Sequence, residues 1–329
     1  MSFNKTLFER LKKNKNLEDS SIKTYLQSIK KISKELFNST KPNLLYFKDY
    51  SSVLEYLDNI PSISSRKGLA TSIIVVLKSD QEFSNNFKNI IEKYTDYHKN
   101  LSSIQNDMYL DNEKTEKEEK NWVSNEDIKK KIADILDILS NKTGNIPNIK
   151  PVYFLGTNRN FVDLYQQYLV LNLYTMIPPI RNDYGNCRII TDADGVMCNN
   201  EFNYINISSS KLFLCSYKTS KKYGLKEITI PEELLKIIKK YEILKKNLLK
   251  YTGGFMLINT TNLQPMLKNS LTKFINKIFI PKKVSTTILR KSYISWRFPV
   301  HDSMRERMDV ADVMGHSVGI SQKVYSKKM

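Results

Sequence analysis

At 329 residues, with 40% hydrophobic and 26% charged residues, the chain is long enough for two domains with cores of their own and is neither fibrous nor wholly disordered in composition. It has no apolar run of about 18 residues, which excludes a membrane-spanning helix, and its charged start after Met1-Ser2-Phe3 is unlike a secretory leader. A net charge of +18 favours a polyanionic partner, nucleic acid above all, although abundant Lys, Asn and Ile also carry the mark of AT-rich coding.

Residues 1–107 read as a helical domain. Ser20-Ser21 precede Ile22, Tyr25, Leu26, Ile29, Ile32 and Leu36, a helical apolar stripe behind an N-cap candidate. Lys23, Lys30, Lys31 and Lys34 leave the other faces of that helix basic. Ser64-Ser65-Arg66-Lys67 opens a second helix through Ile73, Ile74 and Leu77, and a third spans Asn85 to Tyr97. Residues 108–121 are polar and charge-dense, the pattern of a linker or of a solvated helix. Residues 122–329 then form a second domain. Ser124 is placed to cap a helix carrying Ile128, Ile132, Ile135 and Leu136, and Leu164–Met176 reads as a buried helix leading into Pro178-Pro179-Ile180-Arg181. Short strand-like pieces follow at Arg188–Ile190, Tyr204–Ile207, Lys211–Leu214 and Glu227–Ile230. Pro231-Glu232-Glu233 starts a helix in the manner of a first-turn proline with acids on the positive end of the dipole. Further helices are expected at 265–279, 286–297 and 303–314. The fold class is mainly α with a small antiparallel β-sheet. Cys187, Cys198 and Cys215 are an odd number without metal-type spacing and read as reduced thiols of an intracellular protein.

Arginine is scarce, with nine in the chain, and two stand where a phosphate clamp needs them. Arg181 follows the buried helix, and Arg290 lies in Leu289-Arg290-Lys291-Ser292-Tyr293. A guanidinium is planar, always ionised and bidentate, which suits the charge on a phosphodiester in reaction. Lys218 sits in Tyr217-Lys218-Thr219-Ser220-Lys221-Lys222-Tyr223-Gly224, between two strand-like pieces, and a lysine there can protonate a departing oxygen. Lys221 and Lys222 are rivals for that role. His316 stands in Met314-Gly315-His316-Ser317, and Tyr325, nine positions later, is the candidate nucleophile.

This ordered set of two arginines, a lysine, a Gly-His pair and a late tyrosine resembles the tyrosine recombinase (phage integrase) family, most strongly after about residue 165. The resemblance implies a helical core-binding domain at the N-terminus, begun by Ser20-Ser21-Ile22-Lys23-Thr24-Tyr25, and an α+β catalytic domain. Its linker would let the two close around duplex DNA. It implies that Tyr325 forms a 3′-phosphotyrosyl link, that Arg181, Arg290 and His316 stabilise the transition state, and that Lys218, on a mobile hairpin, is the general acid. No cofactor and no metal is required. The implied partner is double-stranded DNA, engaged by a homotetramer, with Lys23, Lys30, Arg66, Lys67, Lys221, Lys222 and Lys291 as DNA-binding candidates. The element would be viral or mobile, and the protein intracellular, without a membrane partner. Three features depart from the family. Thr287 replaces the histidine three residues before Arg290, a position associated with accepting the tyrosine proton. Tyr184 stands where an acid is common, with Asp183 beside it. Only four residues follow Tyr325. Two other readings share much of the pattern: a type IB topoisomerase, against which the helical first half speaks, and a DNA-binding relative that has lost cleavage, for which Thr287 speaks.

Overall fold

A computed structural model describes residues 3–15, 17–110, 112–143, 158–191, 198, 201–298 and 304–327. The chain divides into two compact units, Met1–Asp111 and Asn112–Met329.

The first unit contains α1 (Phe3–Lys15), α2 (Asp19–Phe37), α3 (Tyr50–Asp58), α4 (Ile63–Leu77), α5 (Gln81–Asn86) and α6 (Lys88–Leu110). The apolar stripe of α2 faces the core: Ile22, Ile29 and Ile32 are fully buried and Leu26 nearly so. The helix starts earlier than its serines suggest. It begins at Asp19, with Glu18 at the cap position, so Ser20 and Ser21 lie in the first turn. It ends at Asn38, whose left-handed backbone (φ 48°) lets its N–H close on the Ser33 carbonyl. Ser62 caps α4 by accepting from Ser65 N. The helix expected from Asn85 to Tyr97 is divided between α5 and a longer α6. The buried Tyr94 of α6 donates to the Phe47 carbonyl at 3.1 Å, so its hydroxyl is satisfied within the core.

The second unit begins with α7 (Glu116–Asn121), closed by a reciprocal capping box between Thr115 and Glu118. Ser124 caps α8 (Asn125–Thr143) as its position suggests, accepting from Asp127 N at 3.0 Å while the Asp127 carboxylate accepts from Ser124 N at 2.9 Å. At the centre lies α9 (Asn158–Thr175), packed against α8, α11 (Glu232–Leu249) and α13 (Thr286–Arg297). After a short 3₁₀ turn (Asn182–Asn186) come β1 (Cys187–Ile190), β2 (Asn203–Asn206), β3 (Lys211–Leu214), the short α10 (Ser220–Tyr223) and β4 (Lys226–Thr229). The remaining helices are α12 (Lys268–Ile278), α14 (Met304–Val313) and α15 (Val318–Ile320), which runs into a π turn over Ser321–Tyr325. Among the described residues no helix is long and apolar enough to cross a membrane.

The sheet has the order β1-β2-β3-β4. The antiparallel expectation holds for β2, β3 and β4, while β1 runs parallel to β2, with Cys187 opposite Asn203. The free edge of β1 is filled by residues 254–256, through Ile189 N to Gly254 O and Met256 N to Cys187 O. The cysteines depart from the expectation of three free thiols. The end of β3 comes beside the segment before β2, and Cys198 and Cys215 form a disulfide across Cα atoms 5.4 Å apart. Cys187 is free and buried, and burial pushes its thiol pKa up.

Two glycines separate backbone necessity from convenience. A Cβ on Gly185 would lie 2.0 Å from the Met266 carbonyl oxygen, whereas one on the helical Gly68 meets nothing within 4 Å. Gly185→Ala is therefore expected to lose about 2–3 kcal/mol by overpacking against backbone. Gly68→Ala should gain about 0.5–1 kcal/mol by reducing the freedom of the unfolded chain. Urea titration of both variants checks the opposite signs, and equal midpoints would contradict them.

Candidate active site

Helix α13 positions the first group. Ser285 caps it, accepting from Ile288 N, and residues 288–295 are all buried, so the helix runs through the unit rather than along its surface. Such a helix holds charges only if each is answered. Lys291 is answered by an ion pair with Glu118 of α7, with both side chains largely covered. Lys291, a DNA-binding candidate in the sequence, turns its ammonium inward, because nearly every face of α13 is buried. Arg290, 1% exposed, has no carboxylate bonded to it among the described residues. Its Nη1 donates to the Pro179 carbonyl at 3.0 Å and its Nη2 to the Met314 carbonyl at 3.1 Å, while its Nε is buried without a partner among the described residues. Burial pushes the Arg290 pKa down, an effect opposed by the nearby Tyr325 and reinforced by Arg181.

Both carbonyls belong to helix ends that carry other candidate groups. Pro178-Pro179 breaks the chain after α9, and a proline carbonyl outside the helix is free to accept. Two residues on, Arg181 is half-buried, its main-chain carbonyl held by Tyr174 Oη at 3.1 Å. Tyr184 packs edge-on against Tyr174 and donates to the Leu173 carbonyl, so this residue is a structural strut. Met314 ends α14. Gly315 takes φ +71°, its N–H bonds the Asp312 carbonyl at 2.8 Å, and His316 N bonds the Ala311 carbonyl at 3.1 Å. This is the Schellman end of a helix, which calls for glycine at that position. A Cβ at Gly315 would also crowd Thr219 Oγ1 at 3.2 Å and reach Arg181 Nη1 at 3.7 Å. The Gly-His pair thus places an imidazole where the chain reverses, next to the Arg181 guanidinium.

From His316 the chain continues through α15, capped by Ser317, into the π turn ending at Tyr325. This turn brings the Tyr325 ring parallel to the imidazole, centroids 4.7 Å apart and planes 16° apart, and the Arg290 guanidinium lies 4.8 Å from the same ring. Ser295 of α13 accepts from Lys327 N at 2.8 Å, and the Lys327 ammonium donates to the Glu113 carbonyl, so the strand after Tyr325 is fastened to its own unit. His316 Nδ1 contacts the Ser317 carbonyl at 3.2 Å, which assigns the ring proton to Nδ1, while Nε2 is buried and unpartnered. Burial, then Arg290, Arg181 and Lys226, lower the His316 pKa to about 4, whereas the Ser317 carbonyl acts in the opposite sense.

Lys218 is exposed on the loop between β3 and β4, without a side-chain partner among the described residues. Its neighbours are anchored: Thr219 Oγ1 reaches the Gly315 carbonyl at 3.4 Å, and Tyr217 Oη donates to the Gly224 carbonyl at 2.7 Å. Lys221 and Lys222 are exposed on α10. Thr287 is exposed in the first turn of α13, outside the buried Arg290–His316–Tyr325 group. In the first unit, Lys23 and Lys30 are exposed on α2, opposite its buried stripe. Arg66 is engaged with the Ile60 carbonyl and with Asp58 at 3.4 Å, and Lys67 with Gln105 at 3.2 Å.

One participant escaped the sequence reading. Lys226 of β4 is buried and binds both the carboxylate and the carbonyl of Asp312, at the end of α14. The alternation Lys226, Ile228, Ile230 was the available signal, since it puts all three on the inner face.

No protein-family model matches the chain, and no curated protein matches it. Among solved structures it is similar to the Tn1549 transposon integrase in complex with transposon right-end DNA, with a TM-score of 0.50 at 13% identity over 100% of this chain and 96% of that one. It is also similar to the XerA recombinase, with a TM-score of 0.40 at 12% identity over 98% and 94% of the two chains. The fold is thus shared with a tyrosine recombinase of known structure.

The depressed histidine makes a stability prediction. An unfolded imidazole titrates near 6.5 and the folded one at about 4, so the unfolded chain binds more protons between these values. The contribution of neutral His316 is complete above pH 6.5 and is lost as pH falls toward 4. At pH 4 the wild type should have lost about 3 kcal/mol more than His316→Gln, relative to pH 7. Chemical denaturation of both proteins across that range measures it, and parallel pH profiles would refute it.

Proposed function

We propose that this protein is a DNA-cleaving and rejoining recombinase of the tyrosine class, with Tyr325 as nucleophile. The observation that carries the reading is a pair of buried nitrogens without partners among the described residues, Arg290 Nε and His316 Nε2, beside the Tyr325 ring and close to Arg181. Buried polar atoms are rarely left unsatisfied, and here the surrounding charge is positive. An anionic phosphodiester satisfies both requirements.

In this mechanism Arg181 and Arg290 hold the non-bridging oxygens of the scissile phosphate and stabilise the charge that builds on them. The Tyr325 oxygen attacks phosphorus, the bond to the 5′-oxygen breaks, and Lys218 supplies the proton that this oxygen needs to leave. The 3′-phosphotyrosyl link retains the bond energy, so the 5′-hydroxyl of a partner strand can reverse the step without an energy source. His316 has a distinct requirement. Its Nδ1 proton faces the Ser317 carbonyl, so Nε2 can donate to a phosphate oxygen only as the imidazolium. Burial and the neighbouring cations keep the ring neutral; an anion between the arginines offsets those cations, and protonation then accompanies substrate binding. Exchange of strands between two duplexes calls for a homotetramer assembled on DNA. The Tn1549 integrase was solved with transposon end DNA, which supports duplex DNA as the partner here. The exposed Lys23, Lys30, Lys221 and Lys222 would make the phosphate contacts.

Nicked suicide duplexes carrying the junctions of the protein's own element are expected to trap a covalent protein–DNA adduct, absent in Tyr325→Phe. Arg181→Lys and Arg290→Lys should slow its formation by about 100-fold or more, the scale for losing an oriented donor to a developing charge. Binding to those junctions without any adduct would instead select a non-catalytic relative, and plasmid relaxation without strand exchange would select a topoisomerase. Calorimetric titration at pH 6.5 in buffers of different ionisation enthalpy should show proton uptake on DNA binding that His316→Gln lacks. Equal uptake by both proteins would remove His316 from the mechanism.

A further inference from the structure

The loop that carries Lys218 is fastened at two points to the turn that carries His316. At one point Thr219 Oγ1 donates to the Gly315 carbonyl at 3.4 Å, and the Tyr217 ring would stand 3.7 Å from a Cβ at Gly315. At the other, Lys226 donates to Asp312 Oδ1 at 2.7 Å and to the Asp312 main-chain carbonyl. That carbonyl is the one that accepts Gly315 N in the Schellman turn. A cation at the last carbonyls of α14 also suits the negative end of the helix. Between the fastenings the loop is a folded piece. Tyr217 Oη closes on the Gly224 carbonyl, and Gly224, at φ +67°, ends α10 by bonding back to Ser220.

Packing alone does not account for Lys226. Its side chain is 6% exposed, while that of Asp312 is 66% exposed, so the cation is the partner taken from water. It shares the inner face of β4 with Ile228, where an aliphatic side chain would fill the space without the desolvation cost of an ammonium. We propose that Lys226 is a positioning residue whose bond to Asp312 latches the Lys218 loop to the His316 turn, so that the general acid and the phosphate-binding groups meet the substrate as one body. This inference rests on the strand-cleavage reading above.

The test uses single-turnover cleavage by the full-length protein on two nicked duplexes. One has the ordinary 5′-oxygen at the scissile phosphate and the other has sulfur in that bridging position. In both, the bond from Tyr325 oxygen to phosphorus forms. In the second, the phosphorus–sulfur bond breaks and a thiolate leaves without needing a proton. Lys226→Met should slow cleavage of the oxygen substrate by about 10–100-fold, the scale for a misplaced catalytic group. It should lose markedly less on the sulfur substrate, and Lys226→Arg should restore most of the rate on oxygen. An equal loss on both substrates, or no loss on either, overturns the proposal. Hydrogen exchange on the free protein decides the latch separately: in Lys226→Met, protection of 215–226 and of 312–317 should fall together while α9 is unchanged. Loosening of one segment without the other overturns the latch. Failure of the wild type to form an adduct with either substrate would defeat the cleavage reading, and exchange would still decide the latch.

Discussion

Arg290 is the charge around which the second unit is organised. It is a guanidinium in the middle of a buried helix, and among the described residues no carboxylate is bonded to it. Effective desolvation of such an ion costs several kcal/mol, and two charge-assisted bonds to carbonyls return about 1.5–3 kcal/mol each. The enthalpy of those bonds is purchased with geometry: they form only if the end of α9 and the end of α14 both present a free carbonyl to the same fork. The Pro-Pro break supplies one and the Schellman turn supplies the other. Arg290 therefore fixes the distance between the segment bearing Arg181 and the segment bearing His316. What the carbonyls do not neutralise remains as positive potential at the buried Nε.

That residual potential explains the state of its neighbours. His316 is neutral because it is buried beside two guanidiniums and an ammonium, and Tyr325 lays its ring where a cation can use the π face. Each of these groups stands at a helix end or turn, where backbone direction changes and a side chain can converge with others from distant sequence. Only Arg290 lies within a helix. In the proposed reading, a phosphate diester answers this positive charge.

Much of the fold could be read from local rules, because local rules generate it. The 3.6-residue periodicity of Ile22, Leu26, Ile29 and Ile32, the cap at Ser124, the first-turn Pro231 with its acids, and the short strands bounded by turns are all properties of neighbouring residues. So is the Gly315-His316 pair, since the Schellman turn demands a glycine whatever the rest of the chain does. Properties set by distant partners stayed hidden. Lys291 resembled a DNA contact because nothing beside it announces Glu118, 173 positions away. Lys226 went unread because Asp312 is 86 positions away. Cys198 and Cys215 came together only through the placement of β3, and β1 pairs parallel to β2 through a connection whose route no motif states. Ser20 and Ser21 misled at shorter range, since Glu18 supplies the first helical carbonyl and no side-chain cap is made.

Thr287 is the departure that bears most on the chemistry. It is exposed in the first turn of α13, so it neither joins the buried group nor touches the tyrosine ring. His316 does not replace the missing histidine as a base. Stacked rings hold the Tyr325 oxygen out of the imidazole plane, whereas proton transfer to Nε2 needs approach within that plane. In the strand-cleavage mechanism the phenolic proton then goes to water or to a phosphate oxygen, and the negative charge left behind is met by Arg290. The burden shifts from a basic side chain to cations already in place. Such a site depends more steeply on the integrity of its charge framework than on any single proton acceptor. Arg290, whose two carbonyl bonds hold that framework together, is accordingly the residue whose loss the arrangement can least accommodate.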